Sequence, residues 1–315
     1  MEKRIIKNTD LSISPINIGG NVFGWTLDEK ASFNILNAFF EKDINFIDTA
    51  DIYSWWANNS QGGESETIIG KWHKERKNRH DLVIATKVGS PIQQFPARVH
   101  KSHILSAANA SLKRLQTDYI DLYYTHFDNE ETPVEETMIA YAELIQSGKV
   151  RYIATSNMSP ERIIKSMEVA ENLGIAKYIA LQPHYNLMER KNYEESYLPL
   201  VEKYNLSVFP YFALASGFLT GKYRSEADFG KSSRGAGMAK YMNEKGLSIL
   251  SALDKVAAKH GVQLSSVAIA WLLAQPSITA PIASATSENQ ILGLMEAINL
   301  NLDVEDLNLI NQASL

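Results

Sequence analysis

The stretch FIDTADIY (46–53) starts as an apolar, β-branched run, stops on Asp48, and passes through polar residues to Tyr53. A strand that ends there leaves Asp48 at its C-terminal tip and Tyr53 in the loop beyond it. Two further stretches follow the same grammar: LVIATKV (82–88) delivers Lys87, and YIDLYYTHFD (119–128) delivers His126. A carboxylate, a phenol, an amine and an imidazole are the groups needed to polarise a carbonyl and hand it a proton.

Outward from these three, the same kind of run recurs along the chain. The strand candidates are SPINIG (14–19), INFIDTA (44–50), LVIATKV, YIDLYYTH (119–126), VRYIATS (150–156), KYIALQP (177–183), LSVFPYF (206–212) and ITAPIAS (278–284). Each is followed by a helical pattern, and a hairpin signature, RIIKNTD then LSISPIN (4–17), precedes them. Repeated βα units of this number predict a (β/α)₈ TIM barrel, with the N-terminal hairpin closing its bottom and the site at the C-terminal ends of the strands. An open doubly wound sheet would carry GxGxxG after its first strand, and IGGNVFG (18–24) does not spell it.

The helix signals are local. Thr132-Pro133-Val134-Glu135 reads as a capping box with proline at the first helical position and Gly148 as its stop; Ser159-Pro160 opens the next helix and Gly174 closes it. Phe33, Leu36, Phe39 and Phe40 fall on one helical face, as do Leu105, Ala108, Leu112 and Leu115. No linker divides residues 1–315, so one barrel domain is expected; the longest irregular stretch is 222–240, and such loops are usually functional or mobile.

Composition narrows the classes. The 315 residues are 45% hydrophobic and 21% charged, ordinary for a globular protein. A formal charge of −5 offers no basic field for nucleic acid. The absence of cysteine excludes disulfides, a thiolate nucleophile and cysteine-ligated zinc. No apolar run reaches the roughly 18 residues that span a bilayer, and the start of the chain lacks a signal-peptide core. The expectation is a cytoplasmic protein with no membrane and no nucleic-acid partner; oligomeric state is not legible in one chain.

Taken singly, Asp48 reads as a turn residue, Lys87 as a solvated strand end and His126 as a structural histidine. Together on neighbouring strands they converge on one mouth. An Asp48–Lys87 ion pair would keep the lysine charged, and that cation would lower the Tyr53 pKa from its usual value near 10. Tyr53 then serves as general acid for ketone reduction and general base for alcohol oxidation, with His126 orienting the carbonyl. No side chain supplies a hydride, so a nicotinamide cofactor is required.

At these residues the chain resembles the aldo-keto reductase superfamily over essentially its whole length, near the bacterial members and the potassium-channel β-subunit branch. The resemblance rests on DTADxY, ATK and YxxH at Asp48–Tyr53, Ala85–Lys87 and Tyr123–His126. It implies a (β/α)₈ barrel, NADPH as cofactor with NADH as the alternative, a small-molecule carbonyl substrate, and Tyr53, Asp48, Lys87 and His126 as the catalytic tetrad. By the same resemblance, Ser156, Asn157 and Gln182 grip the carboxamide and Tyr211 stacks on the nicotinamide, beside Gly20, Asn21 and Asp48. Leu214, Ser216, Gly217, Leu219, Lys222 and Arg234 belong to the segment that wraps the phosphates.

The adenosine end departs from the family. Many relatives read GAR(T/S)xEQ after the last strand, whereas this chain reads Ser284-Ala285-Thr286-Ser287-Glu288-Asn289-Gln290, with Thr286 in the arginine position. Ser284, Thr286 and Gln290 remain candidate cofactor contacts, while Gly293 and Leu294 replace an acidic residue and an asparagine.

Trp25, Trp55 and Trp56 lie in loops expected at the barrel mouth, as a substrate wall or as caps on the core. His184 and Glu189 near His126 and Asp128 lack HxH or HExxH spacing, so no metal site is expected. Glu64 and Glu66 are too close for a glycosidase pair and suit a helix start. The leading expectation is an NAD(P)H-dependent oxidoreductase acting on CH–OH groups. The alternative is a nicotinamide-binding redox-sensing or regulatory protein with little turnover, and a barrel hydrolase stands further off.

Overall fold

The eight apolar runs become eight parallel strands, each alternating with helices. The computed structural model describes residues 1–57, 60–92, 96–232 and 234–315. An antiparallel hairpin of β1 (Arg4–Ile5) and β2 (Ser12–Ile13) comes first. The order is then β3 (Asn17–Gly19), α1 (Glu29–Phe40), β4 (Phe46–Asp48), α2 (Glu64–Arg76), β5 (Val83–Val88), α3 (Lys101–Leu115), β6 (Ile120–Thr125) and α4 (Val134–Gln146). It continues with β7 (Val150–Ser156), α5 (Pro160–Leu173), β8 (Ala180–Gln182), α6 (Leu198–Lys203), β9 (Ser207–Val208), α7 (Glu244–His260), α8 (Leu264–Leu273), β10 (Ile282–Ala283), α9 (Glu288–Asn299) and α10 (Val304–Ser314).

The sheet runs β10-β3-β4-β5-β6-β7-β8-β9. Its two edges meet: the Ile282 N–H donates to Pro210 O and the Thr279 N–H to Val208 O, each at 2.9 Å. The fold is therefore the expected (β/α)₈ barrel. Pairing register sets the strand tips nearly level, with Gly19 opposite Asp48, Asp48 opposite Ala85, Thr125 opposite Thr155 and Ser156 opposite Gln182.

Alternation along the strands divides the apolar residues between two surfaces. Phe46, Ala85, Leu122, Ala154, Ala180 and Phe209 form one buried cluster with Ile6, Leu11 and Ile13 of the hairpin, which closes the bottom. A larger cluster, including Ile47, Ile84, Tyr123 and Ile153, meets the helices. The hairpin is also tied by charge: Asp10 accepts from Arg151 and Tyr152, and the buried Asp121 accepts from both Arg151 and Arg79.

The local signals hold in most places. Ser159 Oγ caps α5 with Pro160 in its first turn, and Gly174 ends it in the left-handed region. Leu36 and Phe39 of α1 and Ala108, Leu112 and Leu115 of α3 are buried, with Phe33, Phe40 and Leu105 packed beside them. At α4 the reading shifts by one residue. Pro133, at ψ 131°, is itself the cap and Thr132 makes no capping bond, because a proline there is extended rather than helical. The 222–240 stretch holds a 3₁₀ segment at Glu226–Lys231 and most of another at Gly235–Tyr241. Among the described residues no single helix is long and apolar enough to cross a membrane; α7 and α8 pass such a test only as a pair bent by 96°.

Candidate active site

Asp48 is the last residue of β4, Lys87 lies one residue from the end of β5, and His126 directly follows β6. Parallel pairing of these neighbours brings the three to one mouth, and the loop after β4 returns Tyr53 over them. The Lys87 ammonium donates to Asp48 Oδ2 at 2.5 Å, Thr49 O at 2.8 Å and the Tyr53 hydroxyl at 3.0 Å. All three of its protons are thus used. Gln182 Nε2 donates to the other Asp48 oxygen at 2.9 Å. The Tyr53 and His126 rings lie 6.1 Å apart, edge to face.

Burial sets the charges. It works to discharge Lys87, but Asp48 and Tyr53 outweigh it and hold the lysine above its ordinary pKa. Burial pushes His126 well below the usual imidazole range, with Lys87 adding to the effect, so the ring is neutral at pH 7. Among the described residues its Nδ1 has no hydrogen-bond partner. For Tyr53 the sequence reasoning needs correction. Burial raises the phenol, and Lys87 offsets that only in part while Asp48 adds to it. The dehydrated phenolate loses more than one shared cation returns.

A cavity of about 830 Å³ opens from this cluster. Asp48, Tyr53 and His126 line it, with Asn21, Ser156, Asn157, Gln182, Tyr211, Leu214, Ser216, Gly217, Lys222, Arg234, Ser284, Thr286 and Gln290. Its polar lining is pre-ordered: Asn157 Nδ2 donates to Ser156 Oγ at 3.0 Å, Ser156 Oγ to Gln182 O at 2.9 Å, and the Tyr211 hydroxyl to Asn157 Oδ1 at 2.9 Å. His184 stacks behind Tyr211, with centroids 5.1 Å apart and planes at 14°. Ser284 Oγ donates to Asn21 Oδ1 at 2.6 Å, and the Thr286 N–H donates to Gln290 Oε1 at 2.7 Å.

Three of the expected positions do not face the cavity. Lys87 is fully buried behind Asp48 and Tyr53. Gly20 packs against the barrel, where a Cβ would come within 2.8 Å of Asp48 O, and Gly19 lines the cavity instead. Leu219 turns into the core from the 3₁₀ segment Ala215–Thr220, leaving Thr220 on the lining. Trp55 and Trp56 line the mouth, whereas Trp25 stands behind Trp56, edge-on at 5.6 Å. Glu64 and Glu66 occupy the first turn of α2, where Glu66 accepts from Thr86 and Arg114.

Sequence reasoning missed Leu27, Ile52, Ser90, Phe127, Phe212 and Ser265 on the lining. Phe127 and Phe212 follow His126 and Tyr211 directly, so reading one residue past each strand end finds them. Ser265 reaches the cavity from α8 and carries no such signal.

The aldo/keto reductase family model matches residues 15–314. The chain belongs to the aldo/keto reductase family. It is 34% identical to the oxidoreductase YrpG of Bacillus subtilis, over 99% of this chain and 95% of that one. It is 34% identical to the aldo-keto reductase YhdN of the same organism, over 99% and 93%. It is also 33% identical to a probable voltage-gated potassium channel subunit beta of Oryza sativa, over 95% and 92%. This aldo/keto reductase is accordingly an NAD(P)H-dependent oxidoreductase, and its barrel mouth is where the family's chemistry belongs.

Proposed function

We propose that this aldo/keto reductase is an NADPH-dependent carbonyl reductase with Tyr53 as general acid, acting on uncharged aldehydes or ketones with flat apolar substituents. The observation that carries the reading is that one cavity combines an apolar, aromatic set around the tetrad with two unpaired cations. Around Tyr53 and His126 the lining includes Ile52, Trp55, Trp56, Phe127 and Phe212, and among the described residues the one charge there is the paired Asp48. The same cavity is also lined by Lys222 and Arg234, neither in an ion pair among the described residues. Cations without protein anions suit the phosphates of a dinucleotide, and the amide and hydroxyl groups of Ser156, Asn157 and Gln182 suit a carboxamide.

A bound reduced nicotinamide supplies the hydride. The chain's own residues do the rest. The neutral His126 imidazole donates a hydrogen bond to the carbonyl oxygen and withdraws density from the carbon. The Tyr53 hydroxyl passes its proton to that oxygen as charge develops there. The Lys87 ammonium, 3.0 Å from the same hydroxyl, stabilises the phenolate that remains. Because burial holds the phenol high, Tyr53 keeps its proton until the oxygen demands it. Asp48 fixes Lys87 in place and is itself fixed by Gln182.

Quenching of tryptophan fluorescence by NADPH and then NADH tests the cofactor, and the Tyr53→Phe variant tests the acid. Micromolar NADPH binding, with turnover lost but binding kept in the variant, is the expected result. Binding of neither nucleotide, or near-normal turnover by the variant, overturns the reading. The similarity to a plant channel subunit favours a second reading, a redox sensor that oxidises its bound cofactor once. Repeated turnover with a good carbonyl substrate separates the two.

A further inference from the structure

Arg234 holds an unusual position for a cation. It is half-buried on the cavity wall, and among the described residues its guanidinium has neither a carboxylate partner nor a hydrogen bond. Burying a guanidinium without an anion is unfavourable. What it has is Trp25: its Cζ lies 5.2 Å from that ring's centroid. Trp25 also meets Trp56 edge-on at 5.6 Å, and Trp56 lies 6.0 Å from the Tyr53 ring. A continuous row of contacts therefore runs from the cation to the proposed acid.

The two ends of this row differ in firmness. The Trp25 turn is braced by the Gly24 N–H donating to Leu27 O at 2.9 Å, with Gly24 at φ +77°. The buried Ser54 Oγ donates to Phe23 O at 2.8 Å and so joins this turn to the loop carrying Tyr53, Trp55 and Trp56. Arg234 sits between the short turns Glu226–Lys231 and Gly235–Tyr241, in a segment with many exposed residues.

We infer that Trp25 is a positioning residue: it holds the Arg234 guanidinium ready for a cofactor phosphate and, through Trp56, couples that engagement to the aromatic substrate wall. This rests on the reductase reading above and adds to it a residue outside the cavity lining. A ring face keeps the cation in place without neutralising it, so the phosphate meets a pre-organised partner.

The test is a double-mutant cycle on the full chain with Trp25→Leu, Trp25→Phe and Arg234→Met, using NADPH binding by calorimetry and steady-state kinetics with a flat aromatic aldehyde. Trp25→Leu is expected to weaken NADPH binding about tenfold and to raise the aldehyde KM by more than it lowers kcat. Trp25→Phe, which keeps a ring face, restores most of the affinity. In the Arg234→Met background Trp25→Leu costs little more, because the contact is already gone. Wild-type protein that fails to bind NADPH overturns the reductase reading and this inference with it. Wild-type binding with Trp25→Leu unchanged overturns the inference alone. The same holds if the loss is equal in the Arg234→Met background, or if Trp25→Phe behaves as Trp25→Leu.

Discussion

Lys87→Met would isolate the buried ion pair. Lys87 and Asp48 are 0% and 1% exposed, and the ammonium gives up bonds to Asp48, Thr49 and Tyr53 when it is removed. Breaking a buried pair by deleting one partner costs about 3–5 kcal/mol, chiefly because the survivor stays charged and dry. Gln182 keeps one bond to Asp48, which places the loss toward the lower end. Without its cation the Asp48 carboxyl takes up a proton at a pH well above its unfolded value of about 3.9. The folded variant then binds more protons than the unfolded chain above that value, so its stability falls as pH rises. Urea denaturation at pH 5 and pH 8 reads this directly. The deficit should be larger at pH 8, and adding Asp48→Asn should recover most of it. A deficit under about 1 kcal/mol, or one that is the same at both pH values, refutes the assignment of a buried charged pair. Turnover should fall with either outcome, so the stability measurement is the discriminating one.

Asp51 gives a second pH effect: burial and the Glu66 carboxylate push its pKa up to about 7, and among the described residues its Oδ1 has no partner. The folded chain keeps a proton that the unfolded chain has lost above about pH 4, so stability should decline from there toward pH 7 and level off. Asp51→Asn should remove that decline, a relative gain of at most about 4 kcal/mol at pH 8, read by denaturant midpoints across pH. Gly70→Ala should destabilise by about 1–3 kcal/mol, overpacking outweighing the helix propensity gained, because the new Cβ would stand 2.3 Å from Arg114 O on α3; an unchanged thermal midpoint would refute the close contact. Thr286→Arg should shift the NADPH-to-NADH affinity ratio about tenfold toward NADPH, since the side chain lines the cavity and now offers only a hydroxyl; calorimetry with both nucleotides measures it.

The barrel was legible because apolar runs that stop on polar residues reappear at each turn of the chain, and strand tips at matched register must converge. The same rule gathered Asp48, His126, Ser156 and Gln182. It failed where position depends on a side chain's turn rather than on its place in a strand. Leu219 and Thr220 are adjacent, yet one enters the core and the other the cavity. Thr132 looked like a cap until the ψ of Pro133 took that role. The pKa of Tyr53 was misjudged because a sequence names its charged neighbours but not how dry the pocket is.

The barrel wall is uneven in a way that divides its tasks. β5, β6 and β7 have 6, 6 and 7 residues and share long ladders, and their tips carry Lys87, His126 and Ser156. β8, β9 and β10 have 3, 2 and 2 residues, and the last two meet across a seam of a few hydrogen bonds. Tyr211 and Ser284, beside that seam, belong to the cavity. The stiff arc therefore holds Lys87 and His126, the groups set beside the Tyr53 hydroxyl, where small errors of position matter most. The loose arc is closed by few bonds, so a dinucleotide bound as proposed would double as a stitch in the fold.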